Sequence, residues 1–167
     1  YGEKIVLNVK DVDYTLDSLQ LTAALDSTSG DRVFNISSDI LSGTVTGYFD
    51  PLLLPLQMQY YLHDKYPRTV DLPAKELKKQ PIQRLSWDLT LHDSKHWFDL
   101  AGVDSLRLVN ASTRGRLNLA EGTTSGTINL PALHLNNISA YGAYITFTED
   151  NGRATADLEL TAADLNE

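Results

Sequence analysis

The chain is expected to be mainly β: an antiparallel meander with one or two short helices. Three observations predict this. Apolar residues recur at every second position through most of the 167 residues. Turn-forming clusters separate these stretches at intervals of about ten residues. One segment, rich in leucine and tyrosine, leaves the two-residue period for a nearly continuous apolar run.

In chain order, "KIVLNVK" places Ile5, Leu7 and Val9 on one face, and "TLDSLQLTAALD" does the same for Leu19, Leu21, Ala23 and Leu25. "DSTSGD", Asp26 to Asp31, is a turn. Phe34 and Ile36 align next, then Leu41, Gly43, Val45, Gly47 and Phe49. The two glycines are expected to let that strand bend. Asp50-Pro51 offers a capping side chain and a proline suited to a first helical position. A helix is therefore expected up to Tyr66, its regular part starting near Leu54 because Pro55 lacks an amide hydrogen. Arg68 to Pro81 has no apolar period and reads as a linker. Leu85, Trp87, Leu89 and Leu91 then share a face, and Lys95 to Ala101 suits a short helix or turn. Alternation resumes with Leu106 and Leu108, then Leu117 and Leu119, Ile128 and Leu130, Tyr141 to Phe147, and Ala156 to Leu160. "EGTTSG" and "EDNGR" are turns, Asn151-Gly152 being suited to a two-residue hairpin. The organisation is a first β half over 1–67 closed by its helix, a linker over 68–83, and a second meander over 84–167. The two halves are able to pack as one domain.

Composition excludes several functions. With no cysteine there are no disulfides, thiolate metal sites or cysteine nucleophiles. A net charge of −8 gives no attraction for phosphate backbones, so no nucleic-acid partner is expected, nor binding to anionic headgroups by charge alone. The longest apolar run, Leu52 to Leu56, is far short of a spanning helix. The chain starts at Tyr1 without methionine and reads as a piece of a longer or processed protein.

Catalytic and metal patterns are sparse. His92, Asp93 and His96 are close in sequence but lack a third ligand at metal spacing. Asp11, Asp13 and Asp17 lack the central glycine of a calcium loop and read as a solvated turn. There is no nucleophile elbow and no phosphate loop. Neither a metal nor a cofactor is expected. Asn35, Asn110 and Asn137 each start an Asn-x-Ser triplet, expected by chance in a chain so rich in these residues. What remains is the apolar face. The Leu52 to Leu62 segment reads first as core, and an open apolar face is the functional alternative. Such a groove would hold hydrocarbon by the effect that builds cores, about 25 cal/mol per Å².

The stretch "FNISSDILSGTVTGYFDPLLLPLQMQYYLHDKYP", Phe34 to Pro67, resembles the TamB proteins of Bacteroidota, members of the AsmA-like family. The resemblance rests on Ser38-Asp39, Leu41, Gly43, Gly47, Phe49-Asp50 and Tyr66-Pro67. It continues in "LSWDLTL" and the meander from Ser112 to Leu160, while Lys95 to Gly102 departs from the family's usual proline-bearing helix. It implies a non-enzymatic module of a periplasmic β gutter, an open, taco-like and strongly twisted sheet, in a parent anchored to the inner membrane. The implied partners are lipid acyl chains and an outer-membrane barrel assembly protein, and the implied roles are phospholipid transport and outer-membrane protein assembly. No catalytic residues accompany it. The groove is expected at Leu21, Val45, Phe49, Leu56, Leu89 and Ile145. The alternatives are a closed β-sandwich for protein interaction, and a carbohydrate hydrolase, for which no paired carboxylates stand out.

Overall fold

Strand pairing follows chain order. The computed structural model describes residues 2–9, 12–71, 83–94, 97–98, 106–150 and 152–165. Among these residues ten strands form one open antiparallel sheet: β1 Gly2–Val9, β2 Val12–Leu25, β3 Arg32–Ser38, β4 Leu41–Tyr48, β5 Arg84–Asp93, β6 Leu106–Asn118, β7 Thr123–Leu135, β8 Ile138–Asp150, β9 Arg153–Glu159 and β10 Ala162–Leu165. Each strand from β1 to β8 pairs with its chain neighbours, and β9 and β10 together line the outer edge of β8. The single α-helix among the described residues, α1 Leu54–Lys65, sits in the crossover between β4 and β5. Those two strands pair from Leu41↔Leu91 to Tyr48↔Arg84, so the sheet runs unbroken from the first half of the chain into the second.

The mainly β, meander expectation is thus met, and α1 begins at the residue anticipated. Its entry differs in detail. Asp50 accepts the Leu52 amide in an Asx turn (2.9 Å) instead of capping the helix, and Pro55, not Pro51, lies in the first helical turn. The Lys95 to Ala101 helix falls mostly outside the described residues; Trp97 and Phe98 form a 3-10 turn, with the Trp97 amide bonded to the Ser94 carbonyl at 2.9 Å. The turn expected at "EGTTSG" is displaced: Leu119 to Gly122 turn, while Thr123 to Gly126 are already in β7. Asp26 organises the β2–β3 turn. It accepts from the Thr28 amide (2.9 Å) and the Ser29 hydroxyl (2.8 Å), and the Thr28 bond, with Ser29 second, holds its carboxyl below the usual range. Asn151, like His96, Asp11 and most of the 68–83 linker, lies outside the described residues.

A crease crosses the second half of the sheet. The β6–β7 ladder is interrupted between Val109↔Ala132 and Ser112↔Asn129, and the β7–β8 ladder between Leu130↔Ala143 and Ala132↔Tyr141. At that level lie Asn110 (φ 52°), Pro131, which has no amide hydrogen, and Gly142 (φ 62°). The same level separates β9 from β10, and there the Thr161 hydroxyl donates to the Gly142 carbonyl at 3.3 Å. A residue in the left-handed region disturbs the two-residue period. The apolar positions change parity at this line: from Ala111 and Leu117 to Leu106 and Leu108 in β6, from Ile128 and Leu130 to Leu133 and Leu135 in β7. Beyond it a small buried cluster forms. The Tyr14 ring meets Trp97 at 5.8 Å, and buried Ser94 exchanges hydrogen bonds with the Leu108 backbone.

Candidate binding face

Register converts the alternation into rows that run across the sheet. One row joins Leu21, Ile36 and Gly43 on β2–β4 to Leu89, Thr113, Ile128, Ile145 and Leu158 on β5–β9. The next joins Ala23, Phe34 and Val45 to Trp87, Gly115, Gly126, Phe147 and Ala156. None of these side chains is a fully buried core residue; Leu21 is 56% exposed and Leu158 65%. The opposite face carries rows such as Thr22, Asn35, Thr44, Asp88, Arg114 and Thr127, tied by Thr44 to Asn35 (3.0 Å) and Arg114 to Asp88 (2.6 Å). One face is oily and the other polar, as period-two strands require.

Glycines shape the oily face. In β4, Gly43 and Gly47 have φ of 141° and 148°, and a Cβ there would lie 2.1 Å and 2.3 Å from the Asp88 and Arg84 carbonyl oxygens. Their hydrogens allow the β5 backbone to approach, a more specific role than the bending expected from sequence. Gly115 and Gly126 are a cross-strand pair, and a Cβ on either would strike the ring of Trp87 or Phe147. The two aromatic rings lie over the glycine track and fill it. Trp87 Nε1 donates to Thr113 Oγ1 at 3.0 Å, which fixes that ring.

Helix α1 covers one end of this face. Its Tyr61 hydroxyl donates to Glu149, which is buried in the row below Phe147 and also accepts the Gly152 amide (3.0 Å). Burial, then the hydrogen bond to the Glu149 carboxylate, holds the Tyr61 phenol well above its usual range. Between α1 and the sheet remains a cavity of about 350 Å³, walled by Met58, Leu62, Leu117, Phe147 and Ala156. The leucines and tyrosines of this segment are not core: Leu52 is 88% exposed, and Gln57 is the buried residue of α1.

Of the six expected groove residues, Leu21, Leu89 and Ile145 share one row and Val45 lies in the adjacent one. Phe49 is buried just past β4, its ring 5.4 Å from Phe34. Leu56 is half-buried on α1 and does not line the cavity. Sequence reading missed Phe34, Ile36, Trp87, Ile128, Phe147 and Leu158 as members of the same surface. The parity of each strand contained them, but which strands paired, and in what register, was not visible.

The histidines among the described residues are engaged locally. His92 bonds Ser42 across β4–β5 (2.8 Å), His63 bonds the Val70 carbonyl (2.6 Å) and His134 bonds Ser139 (3.0 Å). Among the described residues no three His, Asp or Glu side chains group as metal ligands. A concavity of about 650 Å³ includes Arg84 and Arg116, but Asp31, Glu121, Glu149 and Asp150 also line it. Carboxylates outnumber guanidiniums there, so it has no preference for an anion. No helix among the described residues is long and apolar enough to cross a membrane. Comparison with protein-family models, curated proteins and solved structures finds no match for this chain.

Proposed function

We propose that the oily face of this sheet is a seat for lipid acyl chains, and that the chain is a non-enzymatic module of an AsmA-like, TamB-type protein. In that reading its parent is anchored in the inner membrane and spans the periplasm. It passes phospholipid towards the outer membrane and serves outer-membrane protein assembly with a barrel partner. The supporting observation is the pair of adjacent rows through Leu21, Leu89 and Ile145 and through Val45 and Trp87, on a sheet over which no second sheet is laid among the described residues. Exposed apolar area of this kind gains about 25 cal/mol per Å² when hydrocarbon covers it, and contiguous patches mark interaction surfaces.

The test is crosslinking from photoactivatable acyl chains, with native mass spectrometry of the isolated chain. Wild type is expected to carry or capture acyl chains. Val45→Asp and Ile145→Asp are expected to abolish capture while far-ultraviolet circular dichroism stays β-like. Undiminished capture by both folded variants places the lipid elsewhere, and no capture by wild type ends the reading.

A protein-interaction role has one observation of its own. Strand β9 is exposed along its whole length at the sheet margin, and such an edge pairs readily with another chain. The closed sandwich that accompanied this alternative is not the architecture described.

A further inference from the structure

A buried donor without a partner marks one corner of the oily face. Gln83 directly precedes β5 and is 1% exposed. Its Oε1 accepts the Asp50 amide at 2.7 Å, which fixes the amide's orientation, and its backbone carbonyl accepts the Leu119 amide at 3.0 Å. Nε2 is left buried with no hydrogen-bond partner among the described residues. Native proteins seldom leave such a group unpaired, so each case calls for a cause.

Gln83 lines a cavity of about 310 Å³ with Leu25, Arg32, Phe49 and Asp50. Leu25 and Arg32 pair across β2–β3 in the row directly below Ala23 and Phe34. The cavity therefore lies at the end of the apolar rows, against the ring of Phe49. One guanidinium and one carboxylate balance its charge. The group that suits it is an uncharged acceptor attached to hydrocarbon, and a neutral carbonyl meets that description.

We propose that this cavity receives the ester carbonyl of an acyl lipid. Gln83 Nε2 donates to the carbonyl oxygen, and the hydrocarbon runs from Leu25 up the apolar rows. This rests on the lipid reading above and adds the linkage that the site selects. An ordered water would also satisfy Nε2, but without any preference between ester and ether.

The probes are monoolein and its ether analogue of the same chain length, titrated against the intact chain. Wild type is expected to bind the ester about tenfold more tightly, ~1.4 kcal/mol. Gln83→Glu keeps the acceptor for the Asp50 amide and loses the donor, and is expected to bring the ratio to about one. If that variant does not fold, the Gln83 side-chain amide protons of wild type serve instead: they move downfield with the ester and stay in place with the ether. Equal binding of ester and ether by wild type overturns the inference and leaves the lipid reading intact. Binding of neither probe overturns both.

Discussion

The centre of the sheet and its flanks carry the same kinds of side chain in the same rows, and differ in what shields them. Leu89 and Ile145, on β5 and β8, are half-buried, whereas Leu21 on β2 and Leu158 on β9 are more than half exposed. Among the described residues no second sheet lies over either region, and α1 reaches the face at the end by Phe147 and Ala156. In the centre, neighbouring strands contribute rings that lie sideways over glycine, Trp87 over Gly115 and Phe147 over Gly126. On the flanks, Leu21 and Leu158 each have a paired row neighbour on one side alone, Ile36 and Ile145. Among the described residues this sheet shields its middle largely from its own rows and leaves its margins the more exposed.

The strongest test of this contrast is at the closest central approach. Gly43→Ala would force a Cβ to 2.1 Å from the Asp88 carbonyl oxygen in a backbone conformation that side chains avoid. A loss of about 3 kcal/mol or more is expected in chemical denaturation. Trp87→Ala strips the cover from Gly115 and removes the bond to Thr113, and about 3 kcal/mol is expected. If it costs under half that, the lateral shielding is not what holds the centre together.

Tyr61→Phe removes the hydrogen bond between α1 and Glu149 and is expected to cost about 1–2 kcal/mol. The same pair gives an alkaline signature. Because the folded phenol titrates above the ordinary 10.0, its contribution is fully present below that pH. It declines as pH rises further, since the unfolded chain ionises first. Thermal unfolding followed from pH 9 upward should show the decline in wild type and a smaller one in Tyr61→Phe. The least effect is expected at the flank: Leu158→Thr should change stability by less than about 0.5 kcal/mol. A larger loss would mean that the margin is covered by something in solution.

Local alternation was enough to place most strands, because the period of two is a property of each segment alone. The start of α1 was legible for a similar reason, Pro55 limiting where a helix can begin. Rows were not legible, since they depend on register between segments. Nor was the crease. Its trace is the step of three from Leu108 to Ala111 and the adjacent positions of Ala132 and Leu133, a phase change that invites notice only once Asn110, Pro131 and Gly142 are known to lie level. Parity puts Phe49 in the groove lining, yet it sits past the end of β4, buried with its ring against Phe34. Tyr61 meeting Glu149 spans 88 positions of chain and left no local signal.

Chain-order pairing also has a mechanical corollary. Gly2 belongs to one margin of the sheet and Leu165 to the other. Tension between those two points loads the outermost ladders first, and they peel apart a few bonds at a time. A sheet whose terminal strands lie side by side resists by shearing as a block. This one should lengthen in small steps at low force and, when slack returns, wind back hairpin by hairpin.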